Sequence, residues 1–316
     1  MKKLIVPFIC IILIGYTTLN YNKFSSFIAN KISDNQKLII NQSNEYAKKE
    51  GFKYVDLSKD YIPYSYNDLL DILFTVINNG WDTFTFYCPS EYTKCMEDIE
   101  KISDDGLTLT HINNYVHPFN SFTDLKTAIH YGSGQITINI THLYSDEQIN
   151  KINAEVDRLM KILINNEATD YENIKSIHDY LINNTKYDQS EEADQMAIHP
   201  SALASGLLFD HLARCNGYTD TLAIFLTRLG IKNYKIATTS EDISYESTGH
   251  VWNAVYFDGK WLHLDLTWDD PVSTSGTDYL YHKYFLVTTE EMTQSDSGDV
   301  SIEEHNFRKD IYLEFN

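Results

Sequence analysis

Positive charge is what this chain has too little of. Its 316 residues include 25 Lys and Arg against 45 Asp and Glu, a formal net charge of -20. Nucleic-acid phosphates need a basic face, so nucleic acid is excluded as a partner. Cysteine is scarce too, limited to Cys10, Cys88, Cys95 and Cys215. There is no Cys-x-x-Cys pair and the histidines lack ligand spacing, so no metal and no cofactor is expected. An unbroken apolar run of the about 18–20 residues that span a bilayer comfortably is also missing. Repeats and low-complexity tracts are absent. With 43% hydrophobic and 22% charged residues, the composition calls for a packed core rather than disorder.

Met1-Lys2-Lys3 is a positive start, and Leu4 to Tyr16 is a nearly apolar run interrupted by Pro7. Residues 1–24 therefore read as a signal peptide or membrane anchor, which places the protein at the cell surface or outside the cell. Residues 25–145 read as a small α+β module, with a tether through about Asn41. Its expected elements are a helix at Asn67–Asn78 stopped by Gly80, a strand at Trp81–Tyr87, a short helix covering Asp98–Ile102 and a strand at Gln135–Thr141. His111, His117, His130 and His142 read as ordinary core or surface histidines. Cys88 shares a strand face with Phe84 and Phe86 and is read as core. In an oxidising compartment it has an alternative, pairing with Cys95, which would leave Cys215 as the odd thiol.

Residues 146–316 form the third segment. A long helix starts at Asp146, and Thr169-x-x-Glu172 is a capping box that opens a second helix through Leu181. His178, beside that helix's apolar stripe, reads as a packing residue. An acidic loop follows at Glu191, Glu192 and Asp194. Cys215 then opens a helix whose apolar positions are Tyr218, Leu222, Phe225, Leu226 and Leu229, with Gly230 as its stop. Unpaired N–H groups and the helix dipole at that start favour a negative sulfur. Arg214 adds a cation next to it, and Gly217 permits close backbone approach.

Two alternating stretches follow, Gly249–Phe257 and Trp261–Thr267, joined by Asp258-Gly259, a strong hairpin signal. A two-residue turn pairs Phe257 with Lys260 and Tyr256 with Trp261. His250 and Asp265 then become diagonal neighbours on one face, with Cβ atoms roughly 7 Å apart or less. A three-residue turn would send Asp265 to the other face. Cys215, His250 and Asp265 are thus a candidate nucleophile, base and orienting carboxylate. Each has a plainer reading alone: a small buried thiol, a structural histidine, a turn cap. Trp252 reads as core filling, and His263 and Asp269 as supports near the site.

The text Cys215-x-Gly217-Tyr218, Gly249-His250-Val251-Trp252-Asn253 and Trp261-x-His263-x-Asp265-x-Thr267-Trp268-Asp269-Asp270-Pro271 resembles the transglutaminase-like superfamily, a papain-like group. Ile174–Asp188 and Tyr284-Phe285-Leu286-Val287 are similar to its flanking segments, so the likeness runs from about Asp146 to Thr288. It implies an α+β fold whose core packs a nucleophile helix on an antiparallel sheet. It also implies thiol acyl transfer on protein or peptide amides by Cys215, His250 and Asp265, ending in cross-linking or in hydrolysis as by a cysteine peptidase. The default oxyanion donor is the backbone N–H of Cys215. The rival expectation is a non-catalytic cell-surface binding or scaffold module that keeps the fold.

Overall fold

The computed structural model describes residue 58, residues 61–195, 198–238, 249–272, 279–294, 304–312 and residue 315. The expected export segment, the tether and Cys10 lie outside the described residues. No helix among those described is long and apolar enough to cross a membrane. The chain divides into two compact units, Met1–Asn113 with Phe119–Leu143, and Asn114–Pro118 with Tyr144–Asn316.

In the first unit, α1 (Tyr66–Asn78) is capped by Ser65, whose hydroxyl accepts the Asp68 N–H. Its Leu69, Ile72, Leu73, Val76 and Ile77 are fully buried, as the helical spacing requires. Strands β1 (Thr83–Tyr87), β2 (Phe122–His130) and β3 (Gln135–His142) form an antiparallel sheet in the order β1-β3-β2. Helices α2 (Cys95–Asp104) and α3 (Gly106–Asn114) lie between the first two strands in sequence. Cys88 and Cys95 are disulfide-bonded across a Cα separation of 5.7 Å. This corrects the reading of Cys88 as a strand-face core residue. β1 ends at Tyr87; the Cys88 N–H still bonds the Gly134 carbonyl in the register of β3, while its side chain goes to Cys95.

The second unit begins with α4 (Asp146–Leu163) and α5 (Asp170–Asn183), both opened by complete capping boxes, Ser145 with Gln148 and Thr169 with Glu172. β4 (Lys186–Tyr187) pairs in parallel with β5 (Leu212–Ala213). Between them, the expected acidic loop is a short helix, α6 (Glu191–Gln195). Its glutamates sit in the first turn, where the helix dipole favours them. α7 (Cys215–Arg228) packs on an antiparallel sheet of β6 (Asn233–Ala237), β7 (Val251–Phe257) and β8 (Lys260–Leu264), in the order β6-β7-β8. Leu222, Phe225 and Leu226 of α7 are fully buried, each worth about 1.5–3 kcal/mol of transfer free energy.

The β7–β8 hairpin sets the register of the site. Asp258 and Gly259 have φ of 49° and 76°, so the two-residue turn has both central residues left-handed. Tyr256 faces Trp261 and Phe257 faces Lys260, as the two-residue turn requires. The second strand is shorter than the alternation suggests. It stops at Leu264 because the Asp265 carboxylate accepts the N–H groups of Thr267 and Trp268 and caps α8 (Leu266–Asp269). Thr267 thereby leaves the strand face on which the alternation put it.

Candidate active site

Cys215 is the first residue of α7, and Arg214 at the N-cap provides no side-chain acceptor for the first turn. The first N–H groups of the helix are therefore not answered by a side chain of the N-cap. The Arg214 guanidinium points elsewhere, donating to the carbonyls of Asp188 and Ser190 at 3.1 Å each. Gly217 is where the nucleophile helix meets the preceding loop. A Cβ there would stand 2.4 Å from the Ser201 carbonyl oxygen and 3.3 Å from the Ala213 Cβ. Only glycine fits, and the fit holds the start of α7 against residues 200–203. Asp188 secures that loop from the other side. Burial would raise its carboxyl, but hydrogen bonds from Ser201 and Ser190 and the nearby His199 lower it to about 2.

His250 immediately precedes β7 and is tied to the sheet edge, its N–H donating to Thr238 Oγ1 at 2.7 Å. Its Nε2 lies 2.5 Å from Asp265 Oδ2. That leaves Nδ1 off the carboxylate, and Cys215 is close enough to the ring to favour its charged form. Burial by itself would discharge this imidazole. The Asp265 carboxylate and Cys215 outweigh burial and raise its pKa to about 10. Asp265 moves the other way: burial favours its neutral form, but His250 and His305 hold it ionised, well below the usual carboxylate range. The three residues singled out in the sequence are thus brought together around a charged imidazole.

The residues around them divide into braces and neighbours. Trp252 is fully buried and stacks on His250 at 5.7 Å between ring centroids. Its Nε1 donates to His263 Nδ1 at 3.0 Å, and His263 Nε2 lies 3.0 Å from Thr289 Oγ1. Burial first, and then the charges of His305 and Lys309, lower the His263 pKa to about 3. A neutral His263 accepts from Trp252 through one nitrogen and donates to Thr289 through the other. Asp269 is not at the thiol. It receives the Tyr284 N–H and pairs with His178 Nε2 at 3.1 Å.

Two neighbours escaped the sequence reading. His305, in the C-terminal segment, places Nε2 2.8 Å from Asp265 Oδ2 and is fully buried. Tyr187, paired with Ala213 two residues before the thiol, has its hydroxyl pKa raised to about 12 by burial and by Cys215. The Lys186-Tyr187-Asp188 text was a signal for Tyr187. His305 had none, because nothing periodic surrounds it.

Among the described residues, two groups of side chains bring possible metal-ligating atoms within 4.8 Å of one another, His178-Asp179-His282 and His250-Asp265-His305. In the first, the Lys175 ammonium already stands 2.9 Å from His282 Nε2 and bonds Asp179. In the second, both histidines direct Nε2 at the carboxylate, so a cation would have to displace both protons.

Residues 157–266 match the family model described as the transglutaminase-like superfamily. Over 146 residues the chain is 26% identical to the kyphoscoliosis peptidase of Homo sapiens, covering 42% of this chain and 21% of the relative. The Mus musculus kyphoscoliosis peptidase is 24% identical over 150 residues, covering 43% and 22%. The chain thus spans about a fifth of the length of the curated relatives it matches. Among solved structures, a TGase is similar with 16% identity and a TM-score of 0.33, over 50% of this chain and 48% of that one. The periplasmic domain of TgpA from Pseudomonas aeruginosa is similar with 14% identity and a TM-score of 0.28, over 43% and 57%.

Proposed function

Because the chain carries a core of the transglutaminase-like superfamily, we propose that it is a thiol-dependent acyl-transfer enzyme acting on protein or peptide amides. The observation that carries this reading is the line of Cys215, His250 and Asp265, in which a thiol at a helix start meets an imidazole anchored by a buried carboxylate. The Cys215 thiolate attacks the amide carbonyl, forming a C–S bond and a tetrahedral oxyanion beside the first N–H groups of α7. His250 gives its proton to the departing nitrogen as the C–N bond breaks, leaving a thioester. Water or an amine then attacks the thioester carbonyl. His250 takes the proton of that nucleophile, and the C–S bond breaks to return the thiolate.

The name of the matched relatives, a peptidase, supports water as the acceptor, with amine transfer as the branch to measure alongside it. The Cys88–Cys95 disulfide supports an oxidising setting, in keeping with export. A surface-exposed protein or peptide is the substrate that such a setting offers.

The test is labelling by iodoacetamide at pH 6, together with turnover of a peptide library in the presence and absence of an amine donor. The wild type should label rapidly and release product, and Cys215→Ala should do neither. Slow labelling typical of an unassisted thiol, with no turnover, would point instead to a binding or scaffold module built on the same fold.

A further inference from the structure

Asp265 is gripped at both oxygens. Oδ1 accepts the backbone N–H groups of Thr267 at 2.9 Å and Trp268 at 3.3 Å. Oδ2 faces His250 Nε2 at 2.5 Å and His305 Nε2 at 2.8 Å. An ionised carboxylate only accepts, so each ring must present an N–H from Nε2. Four donors then fill the lone-pair directions of the two oxygens.

Resting on the thiol reading above, we propose that His305 is a positioning residue of this site. It donates its Nε2 proton to the carboxylate oxygen that His250 uses, and so sets how tightly Asp265 holds the His250 imidazolium.

The packing shows that this second donor is built in. The His305 ring is fully buried. It stands edge-on to Trp252 at 5.2 Å and to His250 at 5.4 Å, and lies against Tyr284 at 4.9 Å and Trp268 at 5.6 Å. Four rings fix its orientation, so its N–H reaches Oδ2 without the carboxylate having to recruit it. It also lies beyond residues 157–266, outside the part of the chain that matches the family core.

The chemical consequence follows from two N–H groups sharing one oxygen. Part of the negative potential at Oδ2 is answered by His305 and is not available to His250. Without that donor, the whole oxygen faces His250 and the imidazolium becomes harder to deprotonate. A proton held too tightly is given up poorly to a leaving amine, since a general acid works best near the operating pH. The sign does not depend on the charge of His305, because a neutral or a cationic ring presents the same positive N–H end. The other titratable and charged groups around this centre are Cys215 on α7, Tyr187 on β4, Arg214 at the N-cap of α7, His263 on β8, and Glu304 and Lys309 in the C-terminal segment. None of these donates to Oδ2 in the bonds described above.

The experiment is a titration of histidine ring resonances in the full chain, labelled with nitrogen-15 at histidine. His305→Phe keeps a ring but removes the donor, and His305→Gln carries an amide N–H at about the position of Nε2. The His250 midpoint should move up by roughly one pH unit in His305→Phe. It should stay near the wild-type value in His305→Gln. An unmoved midpoint in a folded His305→Phe overturns the proposal. So does a wild-type His305 that carries its proton on Nδ1 instead of Nε2, a measurement that needs no variant to fold. Iodoacetamide labelling of wild-type Cys215 at pH 6 separates the two levels. Rapid labelling with an unmoved His250 removes this proposal alone. Labelling like an ordinary thiol removes the acyl-transfer reading and this proposal with it.

Discussion

Two buried histidines of the second unit, His178 and His250, are partnered by carboxylates at the two ends of α8, the N-cap Asp265 and the last residue Asp269, and their surroundings differ. His178 has both nitrogens committed, Nε2 to Asp269 at 3.1 Å and Nδ1 to Asp179 at 2.9 Å, and its ring packs on Phe285. His250 bonds one carboxylate, Asp265, through Nε2, and has Cys215 near enough to favour its charged form. Burial and a carboxylate partner are therefore not enough to mark a histidine as chemical. On the proposed mechanism, the deciding feature is a ring nitrogen not held by a second carboxylate.

The contrast can be broken most sharply at Asp265. Asp265→Asn removes the charge that sustains the His250 imidazolium and can offer an N–H where an acceptor is needed. The rate of any turnover should fall by about 10³–10⁴-fold, an effect of the size seen when a triad loses its orienting carboxylate. Labelling of Cys215 at pH 6 should slow in parallel. A rate within tenfold of wild type would mean that Asp265 only caps α8.

At Asp269 the same exchange should act on stability instead. Asp269→Asn takes the carboxylate acceptor from His178 Nε2 and should cost about 1–3 kcal/mol of unfolding free energy, the range for a buried polar group losing its partner. The pH dependence of Cys215 labelling should not move, and a moved profile would show that the two histidine clusters communicate.

The pH dependence of unfolding sharpens the comparison. The His250 pKa is raised in the folded state from 6.5 to about 10, so its contribution is complete below the lower value and is lost as pH rises through the upper one. Asp265 is depressed, so its contribution stands above the ordinary carboxylate range and fades as pH falls below it. Thermal unfolding of the wild type from pH 7 to pH 10 should therefore lose more stability than that of Asp265→Asn. Equal losses would place the sensitivity elsewhere.

The smallest effect should come from the first unit. Replacing Cys88 and Cys95 by serine removes a short cross-link worth about 2 kcal/mol. Labelling of Cys215, the one free cysteine among the described residues, should keep its rate at neutral pH.

Much of the site could be read in the chain because its geometry is local. The helix pattern after Cys215 and the alternation around Asp258-Gly259 each follow from residues close in sequence, and the antiparallel register did the rest. What escaped was set by partners far away or by weak patterns. His305 meets Asp265 across 40 residues, through a segment with no period. β2 buries only Leu125, so its sequence shows little alternation. β6 buries four of its five residues, and a run covered on both faces has no period of two to detect. The end of β8 was misplaced because one carboxylate both caps α8 and faces His250, and alternation alone cannot see a cap.

The β7–β8 turn carries a consequence for how this chain can vary. Between His250 and Asp265 the hairpin counts residues, and its count decides which face the carboxylate lands on. Many substitutions along Val251–Leu264 that respect burial should be survivable, whereas inserting or deleting a single codon in the turn should be as damaging as losing Asp265 outright. A deletion scan through this hairpin ought to show a sharp parity, with one-residue changes silent in expression yet dead in chemistry. In this stretch, the number of residues should constrain the site more strictly than their identity.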